Sequence, residues 1–212
     1  MTRIYAISAV TLIAAMLAGI ALVIYLNRGQ NNANADLYGH CRATQIAGGA
    51  DSIGGPFELV NAAGETVTDA DVITRPTLLY FGYTFCPDVC PLDTVRNADA
   101  VDILADQGMP VTSAFISIDP GRDTPDVVGA FVGNVHPDMI GLTGTPEQTA
   151  AASQAYRTYY QAHDTSDEFY LVDHSTFTYL VMPEDGFVEF FRRELSPAQL
   201  AERVSCFVEA GS

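Results

Sequence analysis

Two cysteines separated by three residues are the part of this sequence best suited to chemistry. Cys86 and Cys90 lie in a proline-containing loop after an aromatic and β-branched run, residues 77–84, which is typical of a buried strand. A helical pattern begins near Leu92, and Pro91 suits the first position of a helix, where no N–H donor is needed. Cys90 is therefore predicted at or beside a helix N-terminus, whose partial positive charge favours the thiolate. A thiolate is both a nucleophile and a metal ligand.

The spacing of this cysteine pair leaves three chemistries open. A structural zinc site commonly uses two close pairs of ligands, and the sequence has a single close pair of cysteines, which disfavours zinc. A thioredoxin-type dithiol has two residues between its cysteines, whereas Pro87, Asp88 and Val89 make three here, so the redox motif is approximate. The third chemistry is a metal site completed by a distant histidine.

Four histidines could complete such a site. His40 lies in a segment rich in small and polar residues, His136 precedes a proline in a predicted surface turn, and His163 has polar neighbours. We interpret these three as solvated side chains. His174 differs because it lies between two short apolar runs, residues 169–172 and 177–182, at the entrance to a predicted hairpin or strand. Its position suits a metal ligand and a hydrogen-bonded structural residue equally well.

The elements that must position these residues alternate between strands and helices. Helices are predicted to begin at Thr124, Thr145 and Ser196, since each is a capping hydroxyl followed by proline. The other predicted elements are a hairpin over 57–67, strands over 111–119, 139–142, 177–182 and 187–192, and a helix over 92–107. This alternation predicts one α/β domain with helices on both faces of a sheet.

An uncharged stretch, residues 4–26, precedes this domain. At a rise of about 1.5 Å per residue it can cross a hydrocarbon layer of roughly 30 Å, which predicts a membrane span. A cleaved signal peptide is the alternative, because Ala33 and Ala35 form a small-residue cleavage pattern. We expect a membrane anchor over residues 1–28, a linker over 29–53 and a folded domain over 54–212.

The charge balance excludes one class of partner. The sequence carries 26 acidic and 10 basic residues, a formal net charge of −16. Because nucleic acids and anionic lipid surfaces attract basic proteins, neither is expected to bind this chain through charge. The acidic surface serves solubility, or it attracts cations and basic proteins.

Three segments together resemble the Sco (SenC) family of copper proteins. In chain order within residues 54–208, they are Tyr80-Phe81-Gly82-Tyr83-Thr84-Phe85-Cys86-Pro87-Asp88-Val89-Cys90-Pro91, Ser117-Ile118-Asp119-Pro120-Gly121-Arg122-Asp123-Thr124-Pro125, and Val172-Asp173-His174-Ser175 with Tyr179-Leu180. The resemblance implies a thioredoxin-like fold, a central mixed sheet flanked by helices, with an N-terminal transmembrane helix. It also implies that Cys86, Cys90 and His174 are copper ligands.

The resemblance further implies a role in assembling the dinuclear copper centre, CuA, of cytochrome c oxidase. We expect a metallochaperone in the bacterial inner membrane, with its domain in the periplasm, the oxidising side; the equivalent location in mitochondria is the intermembrane space. It would deliver copper to the copper-bearing oxidase subunit and be loaded by a periplasmic copper donor. Two soft thiolates and an imidazole suit Cu(I), and three protein ligands leave a face open for exchange.

Two other functions use the same cysteines. A thiol-disulfide reductase acting on the cysteines of the oxidase subunit is the main alternative, and a peroxidase-like or redox-signalling function is a third. Oxidising Cys86 and Cys90 to a disulfide would prevent metal binding, so copper loading depends on the redox state of the pair. His174 discriminates between the functions, because copper delivery needs it as a ligand and a dithiol reductase does not.

Four acidic residues lie close to these motifs. Asp88 stands between the cysteines, and Asp119 and Asp123 flank a proline turn. Asp173 directly precedes the candidate histidine. In the family that the sequence resembles, acidic residues near the site are candidates for supporting the ligands or tuning the oxidation state. Solvated turn residues and helix-entry residues would have the same pattern, and neighbours in a strand face opposite sides.

Two further cysteines, Cys41 and Cys206, lie outside the motifs. On the last predicted helix Leu200, Val204 and Phe207 form an apolar stripe, which places Cys206 towards the polar side. An exposed free thiol is a liability in an oxidising compartment. We therefore predict a disulfide between Cys41 and Cys206, with two unrelated free cysteines as the alternative.

Overall fold

In the computed structural model, three parallel strands form the centre of the fold. They are β3 (Thr77–Gly82), β4 (Thr112–Ser117) and β5 (Ile140–Thr143), with β4 between the other two. β3 and β4 are buried along nearly their whole length, the pattern of parallel strands that are covered on both faces. Because the strands are parallel, their carboxyl ends share one edge of the sheet. The loop that contains Cys86 leaves β3 at that edge.

Antiparallel strands extend this centre on both sides. β8 (Thr178–Met182) and β9 (Gly186–Phe191) join the β3 side, and β1 (Glu58–Asn61) and β2 (Thr66–Thr68) join the β5 side. The seven-stranded sheet has the order β2-β1-β5-β4-β3-β8-β9. Two short strands, β6 (Tyr160–Ala162) and β7 (Val172–His174), form a separate antiparallel hairpin. The candidate histidine is thus carried by this hairpin and not by the main sheet.

Helices connect the strands, and a short 3-10 turn, Ala50–Ser52, precedes β1. The helices are α1 (Asp69–Val72), α2 (Val89–Asp106), α3 (Pro125–Val135), α4 (Pro146–Ala155) and α5 (Pro197–Ala210). Thr124 accepts a hydrogen bond from a first-turn amide of α3, and Thr145 and Ser196 form capping boxes at α4 and α5. The three predicted helix starts are confirmed.

Both faces of the main sheet are covered. Tyr80 of β3 and Phe115 of β4 are in register on one face, where Phe115 packs on Phe131 of α3. Phe81 points to the other face and packs on Tyr156, the C-cap residue that directly follows α4. The prediction of helices on both faces is therefore confirmed.

Two local predictions differ from the structure. α2 begins at Val89 and not near Leu92, and Cys90 lies in its first turn, at the helix N-terminus. Pro91 is tolerated there because first-turn amides have no intrahelical acceptor. The hairpin of β6 and β7 and the short helix α1 were missed, since elements of three or four residues carry little periodicity.

The structure describes residues 37–43, 49–167 and 169–211, together with Met16, Gly19 and Leu22. The chain divides into a short unit, residues 1–40, and a larger unit, residues 41–212, which holds the sheet and begins inside the predicted linker. Apart from those three single residues, the predicted membrane span over 4–26 lies outside the described part. Among the described residues, no helix is both long and apolar enough to cross a membrane.

A disulfide joins Cys41 to Cys206 of α5 across a sequence separation of 165. Two hydrogen bonds hold the same segment in place. Arg203 Nη2 donates to the carbonyl of Cys41 (3.3 Å), and Arg42 Nε donates to the carbonyl of Val188 in β9 (3.1 Å). The start of the larger unit is thereby tied to α5 and β9.

Candidate metal centre

The turn between β3 and α2 shapes the cysteine loop. The N–H of Cys86 donates to the carbonyl of Tyr83 (3.3 Å), and the N–H of Cys90 donates to Cys86 Sγ (3.4 Å). Cys90 can make this second bond because its amide, in the first turn of α2, has no intrahelical acceptor. The helix start therefore directs an amide and a partial positive charge at Cys86.

Close packing around Cys90 requires a glycine at the end of β3. A Cβ atom on Gly82 would lie 2.9 Å from Cys90 Sγ and 2.9 Å from a ring carbon of Tyr80. Contacts this short are not tolerated in a packed core, so a larger residue would displace the sulfur or the ring. Cys90 is completely buried and Cys86 is 7% exposed, and both are free thiols. The site thus opens to solvent on the Cys86 side.

His174 reaches the cysteines from the hairpin. Its Nδ1 lies 2.8 Å from the carbonyl oxygen of Ser175, and its Nε2 lies 3.2 Å from Cys90 Sγ. Because a carbonyl only accepts hydrogen bonds, Nδ1 carries a proton and donates to Ser175, and this bond directs Nε2 at the sulfur. The rings of Tyr80 and Tyr83 stand edge-on to the imidazole, with centroids 6.4 and 5.7 Å away. His174 is thereby held in an orientation from which Nε2 can reach a metal between the sulfurs.

The two thiols favour opposite protonation states. Hydrogen bonding from the Cys90 thiol, with smaller contributions from His174 and backbone amides, lowers the pKa of Cys86 although burial opposes the shift. The same hydrogen bond, together with burial, raises the pKa of Cys90. In the metal-free protein Cys86 is therefore the thiolate and Cys90 the thiol that donates to it.

A buried polar network lies behind Cys90. The Tyr80 hydroxyl donates to Asp93 Oδ2 (3.0 Å), and burial raises the pKa of both side chains. Arg96 Nη1 and Arg193 Nε lie 3.6 and 3.7 Å from Asp93 Oδ1. These two cations offset part of the cost of burying the carboxylate. The network fixes the position of Tyr80, whose ring contacts the imidazole of the site.

Asp123 supports the start of the cysteine loop. Its carboxylate accepts hydrogen bonds from the Thr84 N–H (3.0 Å), the Thr84 hydroxyl (2.5 Å) and the Ser117 hydroxyl (2.6 Å). The side chain is completely buried, and burial raises its pKa although these hydrogen bonds oppose the shift. Asp123 therefore connects the end of β4 to the loop that presents Cys86.

Asp119 supports the hairpin instead. Its Oδ2 lies 2.6 Å from Arg122 Nε, and its Oδ1 accepts a hydrogen bond from the Tyr170 hydroxyl (2.5 Å). The guanidinium carbon of Arg122 lies 3.5 Å from the centroid of the Tyr170 ring. Because Tyr170 shortly precedes β7, this group connects the turn after β4 to the hairpin that carries His174.

The other predicted residues lie outside the cysteine and histidine group. Asp88 is exposed immediately before α2. Asp173 faces away from the site, and its carboxylate lies 3.0 Å from Nε2 of the exposed His163. His136 Nε2 lies 3.1 Å from Asp102 Oδ1. Adjacency to the candidate histidine in the sequence was therefore a poor guide to which carboxylates support the site.

Several residues that shape the site were missed by the sequence analysis. They are Gly82, Tyr80, Tyr83, Arg122 and Tyr170. All except Tyr170 belong to the segments that carry the family resemblance, so the segments themselves were a usable signal. Tyr170 lies outside those segments, and only the structure brings it to the site.

The donor set determines what the site can hold. One donor atom each from Cys86, Cys90 and His174 lies within 4.8 Å of the other two. Two thiolates and an imidazole are soft or intermediate ligands, which suit copper and zinc and not magnesium or calcium. A set of three leaves the fourth position of a tetrahedral metal site free for exchange.

Fold and site together define a class, a thioredoxin-like protein with a Cys-Cys-His group able to bind a soft metal.

The chain belongs to the SCO1/SenC family, whose model matches residues 46–209. It is 48% identical over 205 residues to protein SenC of Rhodobacter capsulatus, covering 97% of this chain and 89% of that protein. It is 42% identical to the mitochondrial SCO1 homolog 1 of Arabidopsis thaliana, covering 74% of this chain and 47% of the relative. The chain thus spans nearly all of the bacterial relative and about half of the plant protein.

Solved structures of Sco proteins have the same fold. The copper-bound crystal structure of Arabidopsis thaliana ScoI is similar with a TM-score of 0.69 at 42% identity, covering 74% of this chain and 97% of that chain. Copper-bound ScoI of Bradyrhizobium japonicum is similar with a TM-score of 0.66 at 35% identity, covering 72% of this chain and 98% of that chain. The predicted thioredoxin-like fold and the family resemblance are therefore confirmed.

Proposed function

We propose that this chain is a membrane-anchored copper metallochaperone that delivers copper to the CuA centre of cytochrome c oxidase during assembly. The observation that carries the proposal is the convergence of Cys86, Cys90 and His174, whose donor atoms lie within 4.8 Å of one another. The two copper-bound ScoI structures, at 42% and 35% identity, support copper as the cargo.

The site is prepared to receive a soft cation. Cys86 is the thiolate in the metal-free protein, and the hydrogen bond from His174 Nδ1 to Ser175 directs Nε2 at the sulfurs. Cys90 gives up its thiol proton when copper enters, because only the thiolate binds metal. The charge of the cation favours this loss. Copper loading is therefore expected to release a proton from a site whose ligands are already in position.

The same geometry supports release of the cargo. A protein that delivers copper must bind the metal without enclosing it. Three protein ligands leave one coordination position for a ligand of the acceptor protein. Cys86 is the more exposed of the two cysteines, and His174 is half-buried. An acceptor thiolate can therefore approach from this side while the buried Cys90 still holds the copper.

We further propose that an N-terminal helix over residues 1–28 anchors the domain in a bacterial inner membrane, with the copper site in the periplasm. The uncharged stretch over 4–26 supports the anchor, and the disulfide of Cys41 and Cys206 is suited to an oxidising compartment. The partners expected there are the copper-bearing subunit of the oxidase and a periplasmic copper donor.

Copper titration of the reduced full-length chain tests the delivery function. His174→Ala removes one of three ligands, and we expect copper affinity to fall more than about a hundredfold, since even changes to the partners of metal ligands cost roughly 10- to 100-fold. His163→Ala is the matched control, because His163 is exposed and pairs with Asp173. Unchanged affinity in His174→Ala would show that the three-ligand site is wrong.

A second function is favoured by the unequal protonation of the cysteines. As a reductase, the Cys86 thiolate attacks a partner disulfide and forms a mixed disulfide. Cys90 then loses its proton and displaces the partner. The partner leaves as a dithiol, having gained two electrons from the cysteine pair, one proton from Cys90 and one proton from solvent, and Cys86 and Cys90 form a disulfide. His174→Ala separates the two functions, because disulfide reduction would survive the loss of the third metal ligand.

A further inference from the structure

Arg122 lies where the three segments that build the metal site meet. Its guanidinium carbon lies 4.8 Å from the ring centroid of Phe85 and 5.7 Å from that of Tyr83, both in the cysteine loop. It lies 3.5 Å from the ring centroid of Tyr170, in the connection between β6 and β7. Its Nε pairs with Asp119 in the turn after β4 (2.6 Å). One side chain therefore contacts the cysteine loop, the β4 turn and the hairpin connection.

Asp119 closes this group from the other side. Its two carboxylate oxygens are used separately, Oδ2 by Arg122 and Oδ1 by the Tyr170 hydroxyl. The carboxylate and the guanidinium are largely buried, with side-chain exposures of 6% and 12%. Charge-assisted hydrogen bonds in such surroundings are stronger than neutral ones. We call Asp119, Arg122 and Tyr170 the clasp.

The clasp acts on the hairpin close to His174. Tyr170 lies just before β7, the strand that ends at His174. A second contact follows it, in which the N–H of Val172 donates to the Tyr83 hydroxyl (3.3 Å). Beyond these contacts β7 pairs with β6, and neither strand belongs to the main sheet. Outside this two-stranded ladder, the position of the imidazole therefore depends on a few side-chain contacts with the cysteine loop and the β4 turn, and not on pairing with the main sheet.

We propose that the clasp positions His174 against the two cysteines and thereby sets how long the site retains copper. This inference rests on the proposed function, since it takes copper as the cargo. The three clasp residues are positioning residues and do not ligate the metal. When the clasp is intact, the hairpin holds Nε2 beside Cys90 Sγ. When it is broken, the hairpin moves more freely and His174 leaves the metal more often.

The test compares copper release from full-length variants that are loaded with copper and then mixed with an excess of a copper chelator. Tyr170→Phe keeps the ring under Arg122 and removes the hydroxyl that bonds Asp119. Tyr159→Phe is the matched control, because Tyr159 is 56% exposed and its hydroxyl bonds only locally to Gln161. We expect Tyr170→Phe to release copper about tenfold faster, the factor that corresponds to about 1.4 kcal/mol, and Tyr159→Phe to match the wild type.

Two further measurements show whether the effect passes through His174. In the Cu(II) form, imidazole nitrogen coupling in the electron paramagnetic resonance spectrum should weaken in Tyr170→Phe and persist in Tyr159→Phe. In a His174→Ala background, Tyr170→Phe should add nothing to the release rate, because the ligand it positions is gone. Arg122→Met removes the centre of the clasp and should release copper at least as fast as Tyr170→Phe. If that variant fails to fold, Tyr170→Phe still decides the question.

The proposal is overturned if Tyr170→Phe releases copper at the wild-type rate. It is also overturned if Tyr170→Phe accelerates release equally with and without His174, since the clasp would then act on the whole fold. Failure of the proposed function has a different signature. In that case His174→Ala alone binds copper as well as the wild type, whatever the clasp variants do.

Discussion

The unequal protonation of Cys86 and Cys90 leads to a prediction about the pH dependence of thiol reactivity. Hydrogen bonding from Cys90 and His174 lowers the pKa of Cys86 to about 3 in the metal-free protein. A thiol loses its reactivity as the pH falls through its pKa, because the thiolate is the nucleophile. Since this pKa is lowered, the loss of Cys86 reactivity should occur at a much lower pH than that of an ordinary cysteine.

The expected rates follow from two opposing effects. At pH 6 an ordinary thiol with a pKa of about 8.5 is roughly 0.3% thiolate, whereas Cys86 is fully ionised. The Cys86 thiolate is also intrinsically less nucleophilic than the thiolate of the ordinary thiol, because nucleophilicity falls with pKa. With a Brønsted coefficient of about 0.45, this difference is roughly 300-fold. The two effects nearly cancel at pH 6. Cys86 should therefore be slower than an ordinary thiol at pH 8 and about tenfold faster at pH 5.

The assay follows the reaction of the reduced, metal-free chain with a small uncharged disulfide that releases a coloured thiol. Cys90→Ser prevents the second cysteine from reacting further and keeps a hydroxyl that can donate to Cys86 Sγ. Cys90→Ala removes the donor, which makes the largest contribution to the lowered pKa. The rate in Cys90→Ser should be flat from pH 8 to pH 5, and the rate in Cys90→Ala should begin to fall at a higher pH.

One result would refute this reasoning. If the rate in Cys90→Ser fell about tenfold for each pH unit below pH 8, Cys86 would be an ordinary thiol and the hydrogen bonds would not stabilise its thiolate. Equal profiles in Cys90→Ser and Cys90→Ala would show that Cys90 is not the group responsible.

Two further predictions concern stability. Replacing Cys41 and Cys206 by serine should lower the free energy of unfolding, measured by urea titration, by about 2–4 kcal/mol. Closure of a 165-residue loop sets an upper limit of about 5 kcal/mol on this loss. An unchanged unfolding midpoint would contradict the prediction. Asp123→Ala should lower the free energy of unfolding by about 2–4 kcal/mol and weaken copper binding, because Thr84 loses two hydrogen bonds. Asp99→Ala, at an exposed position, should change neither quantity.

Local signals predicted most of the fold. Thr124, Thr145 and Ser196 each start a helix, because a capping hydroxyl followed by proline acts within one turn of backbone. β3 was recognisable since strands covered on both faces are continuously apolar. His174 was predicted at the entrance to a hairpin or strand, but strands β6 and β7 themselves were not predicted, because each has three residues and is stabilised by contacts with distant parts of the chain.

The candidate site was predicted unevenly for the same reason. Cys86 and Cys90 are close in the chain, so their spacing alone indicated a site. Asp173 is adjacent to the candidate histidine in sequence but faces away from it, whereas Asp123 reaches the cysteine loop from the end of another strand. Which carboxylate supports the site depends on strand order and on the direction of each side chain, and neither is encoded locally.

Residue types and their order in the chain were enough to predict two thiols at the start of a helix, one candidate histidine, a further cysteine pair and an α/β fold. Those properties depend on residue types and short-range spacing. The tertiary structure alone decided that His174 Nε2 lies 3.2 Å from Cys90 Sγ, and that Tyr170 packs on Arg122 to hold its hairpin. Such contacts join segments 84 and about 50 residues apart, and their formation requires the whole sheet to assemble.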